Sequence, residues 1–122
     1  MFKTMCVVAV ASFALLAGTT GVAQADPIPG RIIKMDNVKA GQIDVWTFRL
    51  RGDEVTRIRL AGDGDTCLEL RVFDENGNLI ASDTSGLGDR REVGVRPFWT
   101  GPFKVCIKNL GPVSNNYVLM LD

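Results

Sequence analysis

The chain contains no histidine. That single absence removes the Ser-His-Asp and Cys-His nucleophile–base arrangements, and imidazole metal sites with them. Ser82, Ser85 and Ser114 fall in loops or at strand ends with no candidate base beside them. What remains for chemistry is carboxylate and thiol. Asp63, Asp65 and Thr66 cluster in one turn, Gly62-Asp63-Gly64-Asp65-Thr66, while Asp36, Asn37 and Asp44 lie near the start of the fold. Hard cations take several carboxylate and carbonyl oxygens, so the first cluster is a candidate calcium site. Against that, no EF-hand loop is present, the local ligand count falls short, and Asp and Gly build turns without any metal. The inventory points to a non-enzyme without an obligatory cofactor, calcium being left open.

Aromatic and basic side chains offer binding in place of catalysis. Phe98 and Trp99 sit in a turn between Pro97 and Pro102. An aromatic there can stack on a sugar ring or fill a partner's pocket. The competing role is to cap the end of a sandwich. Arg57, Arg59 and Arg71, with Arg49, fall at outward positions of their strands and could form one basic face for an acidic polysaccharide or protein. Interleaved with Glu54 and Glu69, they also read as ordinary solvated surface. Arg51-Gly52-Asp53 spells the integrin tripeptide, a motif short enough to recur by chance in any Gly-Asp turn.

The elements that must position these residues begin after residue 25. Lys3 is followed by an apolar run from Cys6 to Ala17, then by Ala23-Gln24-Ala25 ahead of Asp26. That order is expected of a secretory signal peptide, residues 1–25, cleaved after Ala25. The run is too short to span a bilayer comfortably, which disfavours the alternative of an uncleaved anchor. The expected mature domain is 26–122, secreted or periplasmic, with no transmembrane segment after cleavage. The whole chain carries 14 basic and 14 acidic residues, scattered rather than in runs. Nothing in that balance draws it to nucleic acid or an anionic membrane.

Cys6 leaves with the signal, and Cys67 and Cys106 remain. Two cysteines in an oxidising compartment are expected to pair, which would help a domain with a small core. Two free thiols or a redox pair are the alternatives, without a C-x-x-C spacing to favour them.

Beyond the leader Asp26-Pro27-Ile28-Pro29-Gly30, hydrophobic residues alternate, and Gly, Asp and Asn break the pattern at short intervals. That is the signature of an all-β sandwich. Strands are expected at Arg31–Met35, Ile43–Leu50, Val55–Leu60, Cys67–Phe73, Leu79–Ser82, Arg91–Val95, from Phe103 through Lys108, and Asn116–Leu121. Trp46, Phe48 and Leu50 share one face, as do Leu68, Leu70 and Val72. Cys67 and Cys106 both fall outward, with Glu69, Lys104 and Lys108. If their strands are antiparallel neighbours, a cross-strand disulfide could staple the surface, and Glu69 would lie near lysine charge.

The order of motifs is similar to that of the bacterial pre-peptidase C-terminal (PPC) domain family. The resemblance rests on Asp44-Val45-Trp46-Thr47-Phe48, Gly52-Asp53, Gly62-Asp63-Gly64-Asp65-Thr66, Leu68 to Asp74, and Asn76-Gly77-Asn78-Leu79-Ile80-Ala81-Ser82-Asp83. It continues through Thr100-Gly101-Pro102-Phe103-Lys104-Val105, Asn109 and Asn116-Tyr117-Val118-Leu119, covering nearly all of the expected mature domain. The resemblance implies a secreted, jelly-roll-like antiparallel β-sandwich. Family members are usually accessory modules beside secreted enzymes, and some bind collagen, polysaccharide or calcium. Cys67 and Cys106 depart from the family pattern together, which supports an added disulfide. The chain is expected to be a standalone copy without a peptidase, which puts the accessory role beside an enzyme in doubt. The expectation is a non-catalytic secreted module that binds an extracellular polymer or cell-envelope component. The alternative is a structural or protein-interaction domain that acts on an exported protein in trans.

Overall fold

A computed structural model describes residues 31–84 and 88–122. The expected signal segment, the leader and Ser85 lie outside the described residues. Eight strands follow the alternation of the sequence: β1 (Ile32–Val38), β2 (Ile43–Leu50), β3 (Thr56–Ala61), β4 (Leu68–Phe73), β5 (Leu79–Asp83), β6 (Arg90–Val95), β7 (Gly101–Asn109) and β8 (Asn115–Leu121). They form two four-stranded antiparallel sheets, one in the order β1-β8-β3-β6 and the other β2-β7-β4-β5. Every connection except the β4–β5 hairpin passes from one sheet to the other, the wind of a jelly roll. No helix among the described residues is long and apolar enough to cross a membrane.

Period-two alternation decides which side chains meet between the sheets. Phe48 and Leu50 of β2, Leu68, Leu70 and Val72 of β4, and Phe103, Val105 and Ile107 of β7 face Ile58 and Leu60 of β3, and Tyr117, Leu119 and Leu121 of β8. Each such aliphatic side chain, withdrawn from water, contributes on the order of 1.5–3 kcal/mol. Trp46 packs against this core from the edge, its ring stacked on Phe48 with centroids 6.2 Å apart.

The disulfide expected between Cys67 and Cys106 does not form. Strands β4 and β7 are antiparallel neighbours as anticipated, but their register sets Arg71, not Cys67, opposite Cys106. The Cys67 carbonyl instead accepts from the Leu110 N–H at 2.9 Å. Four residues of strand at about 3.3 Å each separate the two positions, well beyond the span a disulfide can bridge. Cys106 is a free, buried thiol, and burial pushes its pKa up to about 11. Glu69 does lie opposite Lys108, as the alternation implied.

The single basic face is also corrected. Arg57 and Arg59 belong to β3, whereas Arg49 and Arg71 belong to β2 and β4 in the other sheet, so they look out from opposite sides of the sandwich. Arg57 and Arg59 share Glu92 at 3.5 and 3.9 Å, and Arg71 bonds Glu69 at 2.7 Å.

Candidate functional site

One end of the sandwich is built from the β2–β3 turn, the β4–β5 hairpin and the β6–β7 loop. The first and last are locked together. The Asp53 N–H donates to the Pro97 carbonyl at 2.7 Å, and the Gly52 N–H donates to Thr100 Oγ1 at 2.8 Å. Arg96 lies 3.6 Å from the Asp53 carboxylate. Gly52 is required by proximity, because a Cβ there would stand 2.6 Å from the Trp99 carbonyl carbon. Asp53 takes a left-handed φ of 63°, a conformation Asp tolerates better than most residues. The motif Arg51-Gly52-Asp53 thus serves to brace the loop that carries Phe98 and Trp99.

The two aromatics divide the roles the sequence left open. Trp99 turns back over the end of the sandwich, stacking on Phe103 at 6.0 Å, and retains 37% of its surface. Phe98 points away and is 94% exposed. A braced loop thus presents one apolar ring to solvent on a base made by the other.

The opposite end holds the acidic turn. Asp63 Oδ2 accepts from the Asn116 N–H at 3.0 Å, and its Oδ1 accepts from the Asp65 N–H at 3.1 Å. These bonds, the Asn116 contact foremost, hold the Asp63 carboxyl below the usual carboxylate range. Asn115 ties the neighbours together, its Nδ2 donating to Asp89 Oδ2 at 3.0 Å and to Thr66 Oγ1 at 3.2 Å. The Gly64 N–H donates to the same Asp89 oxygen at 2.6 Å. Asp63 and Thr66 therefore fasten the β3–β4 turn to the start of β8. Among the described residues, no group of three or more Asp, Glu, Cys or His side chains is arranged to hold a metal ion.

Phe98 and Trp99 come together at one end, and Asp63, Asp65 and Thr66 at the other. Arg57 and Arg59 stand on one outer face and Arg71 on the other. Sequence reasoning did not find the polar chain under β1. The Tyr117 hydroxyl donates to Asp44 Oδ2 at 2.7 Å and accepts from Trp46 Nε1 at 2.9 Å. Asp44 alternates with Trp46, Phe48 and Leu50, so an acid on an inward face was the available signal. Arg91 gave a similar signal beside Val93 and Val95. It is buried, and its guanidinium donates to the carbonyls of Leu68 at 2.8 Å and Gly88 at 3.0 Å.

With this geometry in view, the solved structures are informative. The pre-peptidase C-terminal domain of a collagenase from Bacillus anthracis matches with a TM-score of 0.62 at 14% identity, covering 86% of this chain and all (100%) of that domain. The fold is that of a PPC domain. A periplasmic inhibitor of g-type lysozyme from Aeromonas hydrophila, PliG, matches with a TM-score of 0.58 at 9% identity, over 82% of this chain and 98% of its own. The Yersinia pseudotuberculosis-derived mitogen matches with a TM-score of 0.55 at 13% identity, over 77% and 86%. No protein-family model and no curated protein matches the sequence. At these identities the likeness is one of fold, and the PPC fold is common to a C-terminal domain, an inhibitor and a mitogen. The function must be argued from the residues this chain sets on that scaffold.

Proposed function

We propose that this chain is a non-catalytic binding module of the bacterial periplasm or cell exterior, and that it grips its target with the Phe98 end of the sandwich. The observation that carries the reading is a fully exposed phenylalanine on a loop that is fixed in place. A ring ordered before binding loses little entropy on contact, and a buried aromatic anchor typically supplies a large share of an interface's energy. Export, implied by residues 1–25, supports the location. So does the likeness of fold to a periplasmic inhibitor. The target class is an extracellular polymer or cell-envelope component.

One feature favours a protein target acting in trans over a flat sugar chain. Trp99 is folded back on Phe103, so Phe98 stands alone and does not extend into a platform of rings. A single projecting ring suits a pocket or cleft in a partner. The inhibitor PliG, with the same architecture, acts on a protein.

The test is retention of the exported protein on insoluble collagen, chitin, cellulose, peptidoglycan and an immobilised g-type lysozyme, each with calcium and with chelator. Binding to one of these that is lost in Phe98→Ala supports the reading. Binding unaffected by Phe98→Ala contradicts the assigned site. Retention that disappears in chelator, and disappears likewise in Asp65→Ala with calcium present, assigns calcium to the Asp63, Asp65 and Thr66 turn.

A further inference from the structure

We propose that β1 is a dimerisation strand, pairing antiparallel with β1 of a second copy so that two four-stranded sheets become one continuous sheet. Among the described residues β1 stands at the edge of its sheet, bonded on one side to β8. It is seven residues long, contains no proline, and runs in unbroken register from Ile32 to Val38. Two of its three outward side chains are apolar and bare, Met35 at 71% exposed and Ile33 at 50%, and the third, Asn37, bonds Asn116 of β8. The two apolar side chains continue an apolar strip across the outer face, where Met35 lies opposite Val118 and Ile33 opposite Met120. An edge of this length and character is a template for another strand unless something guards it.

The guard on β1 identifies the partner. A charged residue turned toward the interior side of an edge strand normally opposes pairing. β1 carries two on that side, Lys34 and Asp36, of opposite sign and two positions apart. When two copies of β1 run antiparallel about a twofold axis through Met35, Lys34 of each copy stands opposite Asp36 of the other. The same register sets Met35 against Met35 and Ile33 against Asn37, and it uses the whole strand. A slide that keeps the faces matched sets Lys34 against Lys34 in one direction and Asp36 against Asp36 in the other. The strand's charges therefore select one register with one partner, itself.

The backbone agrees. The Asn37 N–H is taken by its own Asp36 Oδ1 at 2.7 Å, so that donor is directed off the free edge and not at β8. Antiparallel hydrogen bonding alternates along a strand, so the N–H groups of Met35 and Ile33 face the same way. Met35 opposite Met35 is then a hydrogen-bonded pair. Lys34 and Asp36 fall in the closer, non-hydrogen-bonded pairs, where cross-strand charges interact most strongly. On pairing, the Asp36 carboxylate exchanges the Asn37 N–H for the ammonium of the second copy.

The experiment is sedimentation velocity over a concentration series, on protein matured from the full-length chain. The variants are Lys34→Glu, Asp36→Lys and the double reversal. The wild type is expected to show a reversible monomer–dimer equilibrium. Each single reversal places two like-charged pairs across the axis and is expected to weaken the dimer about tenfold or more. The double reversal restores both pairs with their signs exchanged and is expected to recover the dimer. A wild type monomeric at every concentration overturns the proposal. So does a dimer indifferent to the single reversals, or a double reversal that stays monomeric while its thermal melt matches the wild type.

Discussion

Tyr117 in β8 and Asp44 in β2 join the two sheets through a 2.7 Å hydrogen bond, with the Trp46 indole N–H closing on the same hydroxyl. Burial dominates at Asp44 and raises its pKa above the ordinary 3.8, with the Tyr117 bond pulling the other way. Burial, followed by the Asp44 bond, keeps the Tyr117 phenol protonated far above its usual range. This chain fixes the edge between β2 and β8, close beneath β1.

Replacing Tyr117 with Phe strands the Asp44 carboxylate and the Trp46 N–H, and should cost about 1–3 kcal/mol in urea unfolding. Asp44→Asn keeps an acceptor for the hydroxyl and removes the buried charge. A raised folded pKa means that Asp44 favours the fold below its unfolded value and loses that contribution as pH rises through the folded one. The stability of Asp44→Asn relative to wild type should therefore rise with pH from about pH 3 upward and level off once Asp44 is ionised. A difference that does not vary with pH would contradict the assignment.

Cys106 should behave as a buried thiol and not as half of a bridge. Its pKa of about 11, against an ordinary 9.0, makes the native protein slow to alkylate at neutral pH. A thiol reagent should label Cys106 only on unfolding. The contribution of the neutral thiol is complete below the unfolded value and is lost as pH climbs through the folded one. Peptide mapping without reductant should show no Cys67–Cys106 cross-link, and finding one would overturn the β4–β7 register.

The mistaken bridge shows what alternation carries and what it does not. Facing has a period of two, so the outward positions of Glu69, Lys104 and Lys108 could be read directly, and so could the pairing of β4 with β7. Cys67 and Cys106, read as outward with them, are buried. A slide of four residues preserves every one of those facings. The real register, Arg71 opposite Cys106, was therefore invisible to the pattern. The same limit scattered the basic face, since alternation marks Arg57 and Arg71 as outward without saying from which sheet. At the site, the Pro- and Gly-rich turn around Phe98 and Trp99 was legible. Which ring caps and which projects depends on the brace from Gly52 and Asp53, a contact between distant turns that no local pattern encodes.

Gly52→Ala tests that brace. A Cβ 2.6–2.9 Å from the Trp99 and Thr100 backbone must push the two loops apart, because neither neighbour is a flexible side-chain tip. The expected cost is about 1–3 kcal/mol by denaturant unfolding, together with weaker target binding. A variant as stable as wild type would show that the loops are not locked.

The central claim is that the Phe98 end is the binding surface, and the most direct measurement compares wild type with Phe98→Ala on whichever matrix or protein retains the wild type. Phe98 makes no contribution to the core, so the thermal melt should be unchanged. Affinity should fall at least about tenfold, the loss expected of an anchoring aromatic. Equal affinity in the two proteins, with equal melts, would contradict the account and move the binding surface away from this end of the sandwich.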